Sequence, residues 1–131
     1  KKALRYEKYW KVFDVWMRLR EQGKRIDCYL LEQGVKTVGI YGAGMMGRHL
    51  IAELSGSKVE AVFAIDQKAD FIKAPITLYG PDEVFPEVDA VVIAVLSEVE
   101  GIKEALQKGR DCKIISLEKI IIDLDEGRGY R

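Results

Sequence analysis

Histidine, cysteine and proline are scarce in this chain: one, two and three residues among 131. A lone histidine, His49, cannot build an imidazole metal site, and two cysteines, Cys28 and Cys112, cannot frame a disulfide scaffold. Neither cysteine belongs to a C-x-x-C or Cys/His cluster. Long apolar runs are absent too. The stretch Ala90 to Leu96 is far too short to span a bilayer. No charged n-region, apolar h-region and cleavage site follow one another at the start, so a reducing, cytoplasmic setting is expected. Several chemical signatures are also missing: a Tyr-x-x-x-Lys pair, a Cys/His nucleophile pair, H-E-x-x-H, and a G-K-[ST] phosphate loop.

What is there suits one globular domain. The apolar fraction of 48% is ordinary for a folded chain, and the length allows a single sizeable core. Formal net charge is zero, yet it is unevenly spread. Residues 1–25 hold nine Lys/Arg against three Asp/Glu, and the remainder holds twelve against eighteen. An acidic main body argues against a nucleic-acid partner.

Helical periodicity runs from residue 2 to Gly23. Tyr6, Tyr9, Trp10, Phe13, Trp16 and Met17 recur at i, i+3, i+4 and i+7 and are read as one aromatic stripe. Core packing is the first expectation for that stripe, a homo-oligomer interface the second, and contact with an anionic membrane surface the third. A second short helix is expected over Asp27 to Gln33, with Asp27 as N-cap and Gly34 as its stop. From Lys36 the pattern changes to strands alternating with helices. Strands are expected at 37–41, 59–65, 75–79, 89–96 and 113–117. Helices are expected at 45–54 and 98–108, with a helical turn from Pro81 and a last turn at 118–122. Continuous apolar strands between helices imply a parallel sheet covered on both faces. The expected fold is α/β: a Rossmann-like five-stranded parallel sheet of order 3-2-1-4-5 behind a two-helix extension. The expected boundaries are 1–35 for the extension, 36–123 for the dinucleotide-binding domain and 124–131 for a flexible tail.

One motif carries chemistry. Gly42-Ala43-Gly44-Met45-Met46-Gly47 matches G-x-G-x-x-G, follows a predicted strand, opens a predicted helix, and precedes an acidic residue, Asp66, at the end of the next strand. The unit from Lys36 to Asp66 spans 31 residues, the length of a β-α-β dinucleotide fingerprint. Gly42 would permit the sharp turn, Gly44 the approach of a pyrophosphate to the backbone, and Gly47 close packing of helix on sheet. The first helical turn at Met45 and Met46 would aim its N–H groups at phosphate. Asp66, with Gln67 beside it, would meet the adenosine ribose and favour NAD(H) over NADP(H). Arg48 would neutralise a phosphate or sit solvated. Ala94 and Leu96 close the fourth strand at the carboxyl edge, where ligands bind in open α/β sheets, and strand-end packing explains them almost as well. His49 is read as structural or surface. No catalytic residue and no metal ligand is assigned.

The stretch "VGIYGAGMMGRHLIAELSGSKVEAVFAID" (38–66) resembles the NAD(P)-binding Rossmann-like domains of bacterial surface-polysaccharide synthesis. That group comprises the dinucleotide domains of capsule-type sugar-nucleotide dehydratases and epimerases and small stand-alone relatives. The similarity continues through "ITLYGPDEVFPEVDAVVIAV" (76–95) and "CKIISLEKII" (112–121), while the N-terminal helices match loosely. The resemblance implies Gly42, Gly44, Gly47 and Asp66 as cofactor contacts. Its catalytic members carry a further domain with Tyr/Lys chemistry that has no counterpart here. Three functional expectations follow. The first is an NAD(H)-binding module that is not catalytic alone, partnered with a sugar nucleotide or a glycosyltransferase-type protein. The second is an oxidoreductase, epimerase or dehydratase completed by another domain or subunit. The third is a regulatory NAD-sensing domain.

Overall fold

The computed structural model describes residues 2–69 and 75–127, with side chains from Tyr6 onward. Helices α1 (Lys2–Glu21) and α2 (Ile26–Glu32) precede β1 (Thr37–Tyr41), α3 (Met45–Leu54), β2 (Glu60–Ile65) and β3 (Thr77–Tyr79). The chain continues through β4 (Ala90–Ile93), α4 (Val99–Gln107), β5 (Lys113–Ser116) and α5 (Leu117–Asp125). The strands form one five-stranded sheet of order β3-β2-β1-β4-β5, and every neighbouring pair is parallel. The α/β class and strand order are those expected.

Alternation along the strands divides the core into two layers. Val38, Ile40, Ala64, Ala90 and Val92 face the layer built with α1, α2, α3 and α5, whereas Phe63, Ile65, Val91, Ile93 and Ile114 face the layer under α4. A Cβ on Gly39 would run into the Phe63 ring, so this strand position is reserved for glycine by its neighbour.

The two N-terminal helices belong to the same core as the sheet. Trp16 and Leu19 of α1 and Ile26, Tyr29 and Leu30 of α2 are all buried there. Glu53 of α3 joins the three helices. Only 2% exposed, it accepts hydrogen bonds from Trp16 Nε1 and from the Ile26 backbone N–H, both at 2.8 Å. Arg20 Nε approaches the same carboxylate at 3.4 Å, and Arg25 Nη2 donates to the Glu53 carbonyl at 2.8 Å. On the far side, Tyr29 Oη donates to Asp123 Oδ2 of α5 at 2.7 Å.

Several expectations are corrected. The aromatic and Met stripe of α1 is broader than the core it meets, so core packing, the first expectation for it, holds for only part of it. Trp16 is 2% exposed, with Tyr9 and Phe13 packed partly against the core beside Val12 and Val15, while Trp10 is 73% exposed. Successive residues turn by about 100°, which sets Tyr9, Val12, Trp16 and Leu19 on one line and Tyr6, Trp10 and Met17 on another. No helical turn begins at Pro81. A tight turn closes there instead, through Gly80 N–H to Glu83 Oε1 at 2.8 Å and Glu83 N–H to the Gly80 carbonyl at 3.1 Å. Val84 is exposed, so the segment has no apolar stripe to dock a helix, and one isolated turn does not sustain itself. The N-cap of α2 is Arg25 rather than Asp27, whose carboxylate instead accepts from Arg25 Nε at 2.8 Å.

The last helix is longer than expected. Ser116 caps it by accepting from Lys119 N–H at 3.3 Å. Leu117, Ile120, Ile121 and Leu124 then give it a buried face, so Leu124 and Asp125, expected in the tail, are helical. The tail residues 128–131, and residues 70–74 between the expected second and third strands, lie outside the described residues. Among the described residues, no helix is long and apolar enough to cross a membrane.

Candidate functional site

The motif lies where β1 leaves the sheet. Gly42 sits at φ +100°, a left-handed conformation that side chains other than glycine rarely adopt, and its N–H donates to the Ile65 carbonyl at 2.7 Å. The chain then turns through Ala43 and Gly44 into α3. Because α3 covers one face of the sheet and α4 the other, the β1–β4 boundary is the point where the winding reverses, and a crevice opens there in such sheets. Ala94 N–H donates to the Tyr41 carbonyl at 2.8 Å across that boundary.

The three glycines differ in what they are for. A Cβ on Gly47 would collide with the Gly42 carbonyl oxygen, so α3 can approach the loop only through a residue without a side chain. A Cβ on Gly42 would come within 2.8 Å of Val95 Cγ1. Packing accounts for both. Gly44 is different: it is exposed, its φ of −79° suits any residue, and a Cβ there would meet no atom of the described residues within 4 Å. As the N-cap of α3 it also offers no side chain to the helix N-terminus.

Asp66 follows β2 and reaches back to this loop. Its Oδ2 accepts from Ala43 N–H at 2.8 Å and its Oδ1 from Lys68 N–H at 2.8 Å. Each carboxylate oxygen can accept twice, so both retain capacity toward a hydroxyl. Thus Gly42, Ala43, Gly44, Met45 and Asp66 are brought together. Met45 is exposed, whereas Met46 is buried in the core, and Ala43 spends its N–H on Asp66. Arg48 and His49 are exposed, and the His49 ring lies edge-on to Phe13 and Trp16. Ala94 and Leu96 follow β4 as buried residues, with Lys8 Nζ donating to the Leu96 carbonyl at 3.3 Å.

Two residues at this edge were not singled out by the sequence. Tyr41, the last residue of β1, has burial pushing its phenol pKa up. A hydrogen bond with the Gln67 side chain offsets this in part, and the Asp66 and Glu98 carboxylates raise it further. Glu98, the N-cap of α4, is the one non-glycine with positive φ among the described residues, at 57°. Tyr41 therefore stays a protonated donor at neutral pH, the reverse of a tyrosine tuned for proton abstraction. The only signal in the sequence was a polar aromatic immediately before Gly42. Burial likewise pushes the Cys28 and Cys112 thiols up, which suits neither to nucleophilic work. Among the described residues no group of three or more His, Cys, Asp or Glu gathers as a metal site.

Comparison with protein-family models, curated proteins and solved structures returned no match. The site's own geometry therefore carries the functional argument.

Proposed function

We propose that this chain is a dinucleotide-binding module that takes NAD(H) across the carboxyl edge of its sheet, with Gly44 at the pyrophosphate and Asp66 at the adenosine ribose. The observation that carries the reading is the contrast among the glycines. Gly42 and Gly47 are required by neighbouring protein atoms, but nothing among the described residues requires Gly44 to lack a Cβ. A ligand pressed against the backbone supplies that requirement. Around it stand an N-terminus of α3 with no side-chain cap and a carboxylate with spare acceptor capacity. NAD supplies hydride chemistry when bound. Tyr41, the phenol at this edge, has its pKa moved away from proton transfer at neutral pH, which favours binding over catalysis by this chain alone.

The resemblance of residues 38–66, 76–95 and 112–121 supports a role in sugar-nucleotide and surface-polysaccharide metabolism, beside a glycosyltransferase-type partner. Free thiols at Cys28 and Cys112 suit a reducing cytoplasm. Calorimetric titration of the chain with NAD, NADH, NADPH and UDP-sugars tests the reading. Saturable NAD(H) binding is expected. It should be lost in Gly44→Val and weakened at least about tenfold in Asp66→Ala, since each charge-assisted ribose bond is worth roughly 1.5–3 kcal/mol. Equal affinity in wild type and both variants, or no binding of any dinucleotide, would refute it.

A further inference from the structure

Among the described residues, the outer face of α1 has no partner. Six large apolar side chains are exposed among the described residues, and four of them, Tyr6, Trp10, Met17 and Met45, line one groove of about 510 Å³ between α1 and the start of α3. Clustering of this kind marks an interface rather than the scattered apolar exposure of ordinary surfaces. Beside the Tyr6–Trp10–Met17 row runs a second, charged row, offset by about 100° around the helix. It reads Glu7, Lys11, Asp14, Arg18, so its signs alternate at spacings of four, three and four residues. Within the helix, Lys11 pairs with Glu7 at 3.1 Å and Arg18 with Asp14 at 3.4 Å.

We infer that this face docks a second copy of the same chain, α1 against α1, antiparallel about a two-fold axis at the level of residues 12 and 13. The charged row selects that arrangement. A two-fold perpendicular to both helices keeps the row on the same side of the pair and reverses its order. Glu7 then meets Arg18 of the second copy, and Lys11 meets Asp14 of the second copy, with both contacts repeated by symmetry. A parallel pair, related by a two-fold along the helices, would carry the two charged rows to opposite sides of the pair, where their charges could not meet. Slipping the antiparallel pair by one turn would set Glu7 on Asp14 or Lys11 on Arg18. Under the favoured register the apolar row closes on itself, Tyr6 near Met17 and Trp10 near Phe13, each about two residues, roughly 3 Å, off exact level, in the isologous manner of a two-fold dimer. This inference does not depend on cofactor binding.

Sedimentation velocity of the full chain, from one to about one hundred micromolar, tests it together with Lys11→Glu, Asp14→Lys, the double reversal and Trp10→Glu. The wild type should be a dimer. Each single reversal makes two symmetry-related contacts repulsive and should weaken the dimer about tenfold or more. The double reversal should restore it, although it turns both i,i+4 pairs within each helix, the one with Glu7 and the one with Arg18, from attractive to repulsive. Weakened helix formation alone would make the double variant the worst of the three. Trp10→Glu should be a folded monomer by circular dichroism, since Trp10 is solvent-exposed in the single chain. A monomeric wild type overturns the inference, including one that instead binds phosphatidylserine vesicles. So does a dimer indifferent to both single reversals, or a double reversal no better than either single one.

Discussion

Replacing Glu53 tests how the N-terminal helices are held. The carboxylate is buried and accepts two protein donors at 2.8 Å, Trp16 Nε1–H and Ile26 N–H, while Arg20 approaches from the surface at 3.4 Å. In Glu53→Ala the two donors stay buried without an acceptor, and each such loss costs about 1–3 kcal/mol. Arg20 is 41% exposed and regains water, so its pairing adds little. The sum is about 2–6 kcal/mol against a total stability on the order of 5–15 kcal/mol. For a chain of 131 residues that loss lowers Tm by roughly 6–25 °C. Glu53→Gln keeps the shape but has one acceptor oxygen, and its amide NH2 must face a second donor, so it should fall about midway. Urea unfolding followed by fluorescence in a Trp10→Phe background isolates Trp16, the tryptophan beside Glu53. A Glu53→Ala cost below about 1 kcal/mol would refute the reasoning, because two stranded buried donors cannot be that cheap. A Glu53→Gln variant as stable as wild type would show that the second donor contributes nothing.

The glycines of the loop should separate in the same urea assay. Gly47→Ala drives a methyl group into the Gly42 carbonyl and should cost about 2–3 kcal/mol, whereas Gly44→Ala should stay within about 0.5 kcal/mol of wild type. Equal costs would remove the distinction between a packing glycine and a ligand glycine. At the opposite edge of the sheet, Asp89 accepts from Lys36 and Thr37 backbone N–H at 2.8 and 3.1 Å. Those bonds hold its carboxyl below the usual range. A pKa lower in the folded than in the unfolded chain contributes stability above about pH 4, lost as pH falls through the folded value. Asp89→Asn should therefore be less stable than wild type at pH 7, and the gap should narrow as pH drops below about 4. A gap that stays constant from neutral pH down to strongly acidic pH would assign the effect to something other than this charge.

Legibility of the fold followed from how local each signal was. Runs such as Ala90 to Ile93 are apolar at every position because both sheet faces are covered, and such strands stand out against the helices between them. The glycine fingerprint and Asp66 are likewise contained in one β-α-β unit, and their meeting follows from parallel pairing of β1 with β2. The turn after Pro81 was misread because proline and acidic residues open helices and tight turns alike. Burial decided between them, and Val84 points to water. Glu53 was illegible for a related reason. A glutamate in a helix is ordinarily solvated, and its role appears only when Trp16 and Ile26, 37 and 27 residues away, arrive as donors.

The aromatic residues of α1 show where periodicity alone runs out. Six residues at i, i+3, i+4 and i+7 fit a single broad stripe, but a helix packed on one body can bury only part of such an arc. Leu19, outside the aromatic set, is at least as inaccessible as Trp16, and together with Val12 it fixes the direction that faces the core. Tyr6, Trp10 and Met17 are rotated away from that direction, so core packing cannot explain them. The helix therefore carries two apolar rows with different jobs. The inner row is tied down by a buried carboxylate that a neutral side chain cannot fully replace. The outer row is bordered by charges that, among the described residues, make only the two i,i+4 pairs, each worth a few tenths of a kcal/mol. The same four charges, reversed in order by a two-fold axis, complement one another completely. That symmetry favours a second copy of the chain as the surface α1 meets.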